Sequence, residues 1–254
     1  MPCSVPPPGT RRVLVFTWRP AGRRTFASLH RHEGEEWILL RRGRLRMLAG
    51  GRPVDLRPGD LLRLTADGGH AVLEASADCT KWVIWAGMAA DNAADGPAVR
   101  HLAARDLRDL DQCCRLAEAH HGEDAGEILA QAAAACAAGF WRRAATGRPA
   151  EAVHPAVAQA CRILADRGGA VALDLVAAGS GMSRSRLSHL FTRQTGVRLV
   201  EFRNRCRLER FVQLRAERPQ TALRDLARSC GFTSCMQFYR MHRRLLGAAP
   251  AAGG

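Results

Sequence analysis

The chain has 254 residues, 47% of them hydrophobic, which suffices for one large domain or two modest ones; composition disfavours collagen-like and disordered chains, and no uncharged apolar run reaches the ~18 residues of a membrane span. Thirty-eight basic residues against 24 acidic give a net charge of +14, carried almost wholly by arginine because Lys81 is the single lysine, so a polyanion is the first partner to consider. From Glu151 onward there are 17 Arg and 7 acidic residues, leaving 21 basic and 17 acidic to residues 1–150: a near-neutral module precedes a basic one suited to nucleic acid.

Residues 1–12 (MPCSVPPPGTRR) read as a disordered lead-in, since consecutive prolines cannot donate to a backbone ladder, and they lack the apolar stretch of a secretory signal. The nine cysteines, Cys3, Cys79, Cys113, Cys114, Cys136, Cys161, Cys206, Cys230 and Cys235, show no zinc-finger or ribbon spacing, and a reducing cytoplasm suits them. Adjacent Cys113 and Cys114 read first as small hydrophobes in a helix, with redox sensing as the alternative.

From Arg12 to Ala86 short apolar runs (VLVFTW, EEWILLRRG, GRLRMLAGG, VDLRPGDLLRL, HAVLEAS, TKWVIWAG) alternate with Gly, Pro and Asp, which predicts a small antiparallel β-barrel or sandwich. Within it stand His30-x-His32, Glu36, Gly43, the Arg57 to Asp60 turn RPGD and His70. Period-two alternation puts His30 and His32 on one strand face, where with Glu36 and His70 they form a ligand set suited to a divalent transition metal such as Fe, Mn, Ni or Zn. A pocket lined by Trp37, Trp82 and Trp85 and holding a small organic effector is the competing use of the same interior; tryptophans filling a dry core are the plain alternative. Beyond the Asp91 to Pro97 loop, Leu107, Leu110, Cys114 and Ala117 mark one helix and Glu127 to Arg143 a second, an antiparallel pair placed where a dimer contact is expected. Residues 13–145 are thus one domain, and 146–153, containing TGRP, the linker.

Residues 154–250 are helical throughout and one pattern occurs twice, in Leu173 to Gly196 and in Leu223 to Gly247. Val176-Ala177 and Leu226-Ala227 precede Gly181 and Gly231 alike, and Leu187, Leu190, Arg193 and Gly196 recur as Phe238, Met241, Arg244 and Gly247. A glycine fits the tight turn between two crossing helices, where positive φ is needed. Between the copies runs VRLVEFRNRCRLERFVQLRAERP, a rod with apolar positions Leu199, Phe202, Cys206, Leu208, Phe211, Val212 and Leu214, ended by Pro219. Its 17–20 helical residues would span roughly 25–30 Å, near the ~34 Å turn of B-DNA.

With Leu187, Leu190 and Phe191 turned inward, Ser185, Ser188, His189 and Thr192 face outward; with Phe238 and Met241 inward, so do Cys235, Met236, Tyr239 and Arg240. Ser185, Ser188, His189, Cys235, Met236, Tyr239 and Arg240 are the base-reading candidates, Arg240 foremost because guanidinium bonds bidentately to guanine O6 and N7. Arg184, Arg186, Arg193, Arg243 and Arg244 are the phosphate-binding candidates.

Residues 154–250 resemble the DNA-binding domain of the AraC/XylS family of transcriptional regulators, through D-L-A-x-x-x-G-F at Asp225 to Phe232, then Phe238, Arg240, Gly247 and Pro250; His242 departs from the family's core phenylalanine. The strand region resembles the two motifs of the cupin barrel, the usual sensor and dimerisation domain of such regulators, with its first glycine displaced to Gly22 and Thr65 in place of a proline. The resemblance implies an α+β two-domain protein: a cupin-like barrel with two helices, then an all-α double helix-turn-helix module. It also implies a cytoplasmic, ligand-controlled, non-enzymatic regulator. Its expected partners are double-stranded DNA, a small-molecule effector, a second copy of the chain and RNA polymerase as a further candidate, with no membrane. The alternative is a metal-dependent cupin oxygenase or isomerase with an accessory helical domain, although a catalyst has no evident need for two groove readers one turn apart.

Overall fold

A computed structural model describes residues 13–20, 34–65, 69–87, 98–144, 148–149 and 153–246; the lead-in, His30 and His32 lie outside the described residues. The N-terminal part carries β1 (Val13–Trp18), β2 (Glu35–Arg42), β3 (Leu45–Ala49), β4 (Arg52–Leu56), β5 (Asp60–Leu64), β6 (His70–Ala75), β7 (Thr80–Ala86), β8 (Ala98–His101) and the two-residue β9 (Arg148–Pro149). They form a six-stranded sheet, β1-β7-β2-β5-β8-β9, and a three-stranded sheet, β4-β3-β6, with antiparallel pairing throughout. The expected barrel takes the form of these two sheets. The RPGD turn ties β4 to β5: buried Asp60 accepts the Arg57 backbone N–H at 3.1 Å and pairs with His101 Nδ1 at 2.8 Å. Arg148 and Pro149, within the segment read as linker, pair with β8 at the sheet's edge, where a proline costs no ladder bond.

Alternation along the strands builds three packing layers from two sheets. Ile38, Leu40, Leu45, Met47, Leu62, Leu64 and Val72 form the core between the sheets. On the opposite side of the large sheet, Trp37, Leu39, Leu61, Trp82 and Ile84 pack under α1 (Ala104–Ala119) and α2 (Asp124–Arg143). Ala130, Ala133 and Ala137 keep the buried face of α2 slim, and Trp141 meets Trp37 edge-on at 5.4 Å. The helical pair is thereby locked to the sheet, with Asp111 accepting the Trp82 indole N–H at 2.7 Å and pairing with Arg41 at 2.6 Å.

The tryptophan pocket is corrected by this layering. Trp37 and Trp82 lie under the helices, whereas Trp85, an odd number of residues from Trp82 on the same strand, falls on the other face. A cavity of about 460 Å³ opens elsewhere, beside β3 and β4, lined by Arg44, Leu45, Arg46, Asp55, Leu56, Arg57, Glu74 and Ser76.

The third layer joins the two halves of the chain. Leu48, Ala71 and Leu73, on the outer face of the small sheet, share one core with Val157, Ala160, Leu187, Phe191 and Phe202 of the helical part. That part consists of α3 (Pro155–Asp166), α4 (Leu173–Gly179), α5 (Arg184–Thr195), α6 (Leu199–Glu217), α7 (Leu223–Ser229) and α8 (Cys235–Leu246). A separate core of Leu208, Phe211, Leu214, Leu226, Phe232, Phe238 and Met241 holds α7 and α8 to the far end of α6. Of the apolar positions read on the rod, Val212 alone is exposed, at 40%.

Gly181 and Gly231 turn the chain at φ +68° and +85° as the repeat requires. Alanine at 181 would meet open space, while at 231 its Cβ would lie 3.0 Å from Ala170 Cα and 3.2 Å from Arg207 Nε. Gly181→Ala should therefore cost only the left-handed backbone term of about 1–2 kcal/mol, and Gly231→Ala clearly more. Urea unfolding of the two variants measures the difference; equal midpoints would contradict the tight seat of Gly231.

Candidate nucleic-acid interface

Each helix-turn-helix unit is set by local chemistry. Before α3 the His154 ring accepts the Ala156 N–H at 3.1 Å and Pro155 occupies the first helical turn, where its missing N–H costs nothing. After α4 the chain reverses through Gly181, with the Met182 N–H reaching the Ala177 carbonyl at 3.0 Å. Ser183 then caps α5 by accepting the Arg186 N–H. Ser234 likewise accepts the Gln237 N–H at 3.1 Å at the start of α8, and the Gln237 side chain reaches back to Thr233. Both caps fix the first turn of a helix whose outer face is open.

On α5, Leu187, Phe191 and Thr195 are buried; Arg184, Ser185, Arg186, His189, Thr192 and Arg193 are exposed and Ser188 is half-buried. Arg184 also meets Asp174 at 3.3 Å, an exposed pair worth about 0–1 kcal/mol, so its guanidinium remains available to a phosphate. On α8, Phe238, Met241 and His242 are buried, whereas Cys235, Met236, Tyr239, Arg240, Arg243 and Arg244 are exposed, Met236 at 77%. Arg244 is shared with the scaffold, lying 3.6 Å from Glu201 on α6. His242 stands where the family keeps phenylalanine, and its ring packs edge-on against Phe211 and Phe238, at 6.3 and 5.6 Å. It fills the core position.

The two outer faces are carried on α6, whose 19 residues extend roughly 28 Å at ~1.5 Å each. Sequence reasoning missed the buried Arg207 and Asn204 on this helix, because arginine in an arginine-rich helix reads as solvated. The available signal was that Arg207 stands four and seven residues before buried Phe211 and Leu214, on their stripe. Burial, and second the charge of Arg203, push its pKa down to about 10.

In the sensor part, Glu36 on β2 and His70 on β6 are both buried and approach to 3.5 Å between Oε2 and Nε2. They are the described half of the expected ligand set, and among the described residues no three His, Cys, Asp or Glu side chains gather into a metal-holding group. Lys81, the chain's single lysine, is buried with its ammonium over the Trp18 ring at 4.8 Å.

Cysteine chemistry follows burial. Cys161 is pushed up to about 12 by desolvation, and Cys114 and Cys206 are raised for the same leading reason. Cys113 is half-buried, with its thiol in hydrogen-bonding contact with Cys136. Cys235, exposed on the outer face of α8, should be the first of the described cysteines to react with iodoacetamide and should be protected by bound duplex. Peptide mass mapping reads both effects; equally fast alkylation of Cys161 or Cys206 would contradict the packing.

Two capped helix-turn-helix units on one basic module define a DNA-binding protein of the helix-turn-helix class. Residues 176–252 match the family model described as a helix-turn-helix domain, and residues 16–86 match that described as a cupin domain. The chain thus joins a cupin domain to a C-terminal DNA-binding helix-turn-helix domain of the AraC type. Among solved structures it is similar to ToxT from Vibrio cholerae O395 bound to (E)-4-(8-methylnaphthalen-1-yl)but-3-enoic acid, at 11% identity over 94% of this chain and 96% of that one, with a TM-score of 0.42. It is similar also to the AraC-like transcriptional activator CuxR, at 17% identity over 81% of this chain and 74% of that one, with a TM-score of 0.33. Oxalate decarboxylase from Bacillus subtilis matches over 30% of this chain and 22% of its own, at 19% identity and a TM-score of 0.26. No curated protein matches in sequence.

Proposed function

We propose that α5 and α8 read two half-sites on one face of duplex DNA, about one helical turn apart, with Ser185, Ser188, His189, Cys235, Met236, Tyr239 and Arg240 toward base edges and Arg184, Arg186, Arg193, Arg243 and Arg244 toward phosphates. The observation that carries this reading is the pair of exposed, arginine-flanked faces on α5 and α8, whose cores engage the two halves of α6. Arg240 supplies guanine readout and the flanking arginines supply salt-dependent affinity.

The cupin domain senses a small ligand, and the layer order supports a route for its signal. β3 and β6 give one face to the interior, through Met47, His70 and Val72, and the other to the first helix-turn-helix unit, through Leu48, Ala71 and Leu73. Arg46 of β3 and Arg205 of α6 cross this contact, donating to the Gln194 and Leu73 carbonyls at 3.4 and 3.3 Å. A ligand that fits only one spacing of the sheets shifts the first unit's placement; one indifferent to the spacing shifts nothing. The exposed side of α1 and α2, with Ile128 67% and Leu116 39% accessible, supports pairing with a second copy. A cytoplasmic location with RNA polymerase as a further partner completes the reading; no described helix is long and apolar enough to cross a membrane.

Selection of duplex from a random pool tests this function. A recovered motif with two contacts about ten base pairs apart is expected, and recovery of no motif at moderate salt would refute it.

A further inference from the structure

The helical module contains a buried guanidinium that belongs to neither reading face. Arg207, at mid-length of α6, is 6% exposed and touches both helix-turn-helix units. Its Nε–H donates to the Gly169 carbonyl at 2.7 Å, in the loop between α3 and α4 of the first unit. Its guanidinium carbon lies over the Phe232 ring at 5.7 Å, beside the turn between α7 and α8 of the second. The two units meet at the same place: the Cβ position of Gly231 falls 3.0 Å from Ala170 Cα and 3.2 Å from both Nε and Nη2 of Arg207. A hydrogen bond fixes one side of a planar group and a ring fixes the other, so the fork transmits orientation in a way that a flexible ammonium cannot.

We infer that Arg207 is a positioning residue that locks the second helix-turn-helix unit at one angle to the first and so sets the spacing of half-sites the protein accepts. The inference rests on the two-half-site reading above. Two units clamped to each other at mid-rod cannot follow a change of spacing. Each base pair added between half-sites turns the second by roughly 34–36° about the duplex, so one rigid angle matches one spacing. With the clamp gone, α6 still joins the units through their separate cores, and each unit keeps its own reading face.

The test uses the full chain and the duplex it selects from a random pool, together with versions carrying one to four base pairs inserted between the half-sites and a duplex with one half-site only. Wild type should lose at least about tenfold in affinity on a two-base-pair insertion, the scale of a mismatched site. Arg207→Met, matching the stem without the charge, should flatten that penalty to less than about threefold and leave the single half-site affinity unchanged. Arg207→Lys, with charge but no planar face, is run in parallel as the milder change and should flatten it in the same sense; it is the variant read if Arg207→Met does not fold, as judged by circular dichroism. An undiminished spacing penalty in the folded variant overturns the inference, as does an equal loss on the single half-site, which marks a general packing defect. If wild type selects no duplex, the two-half-site reading itself falls.

Discussion

Replacing Arg240 with alanine should weaken binding to the selected duplex by about 10- to 100-fold, in line with the roughly 1–3 kcal/mol of discrimination that a bidentate arginine–guanine contact supplies, while binding to random duplex stays near its original level. The residue is exposed on α8 one turn after Met236, and its neighbours Phe238 and Met241 are anchored in the core, so truncation removes a contact without disturbing the helix. Arg243→Ala should behave differently. At the exposed last turn of α8 it has the position of a phosphate ligand, and its loss should weaken all sequences alike and lower the salt slope of log K by about 1. Titrations of both variants against selected and random duplex at several salt concentrations separate the two behaviours. An Arg240→Ala chain with unchanged base preference would remove α8 from the reading face.

Phe191→Ala and Phe238→Ala should each destabilise the protein by about 3–5 kcal/mol, the usual range for emptying a buried phenylalanine site, but in different places. Phe191 is fully buried, 5.3 Å from the Phe202 ring, in the core that also contains Leu48, Ala71 and Leu73 of the small sheet. Phe238 sits 4.5 Å from Phe211 and 5.4 Å from Phe232, in a core with no residue of the sensor part. Amide hydrogen exchange in β6 should therefore speed up in Phe191→Ala and hold steady in Phe238→Ala. Acceleration of β6 in both would mean that the two cores are one cooperative unit, and a signal from the cupin domain would then reach both recognition helices at once.

The repeat made the helical module legible in advance, because each of its signals is local. A positive φ between crossing helices calls for glycine, and Gly181 and Gly231 stand there; a 3.6-residue period turns Leu187 and Phe191 inward and leaves His189 outward. The strand region was legible as strands and turns, since the RPGD turn and period-two alternation are likewise short-range. Parity along β7 even contained the separation of Trp82 from Trp85, although the pocket reading passed over it. Glu36 and His70, 34 residues apart, do come together, while His30 and His32 lie outside the described residues.

The class of each module, the residues that face out of α5 and α8, and the length of the rod between them could be read from the order of residues, because all are consequences of backbone geometry acting over a few residues. Long-range packing was needed to show that the small sheet shares a core with the first helix-turn-helix unit, that Trp37 and Trp82 serve the helical cover, and that Arg207 faces inward to bridge the units. Those facts depend on which surfaces from distant parts of the chain meet. A hydrophobic or guanidinium side chain carries no local mark of the partner against which burial will place it.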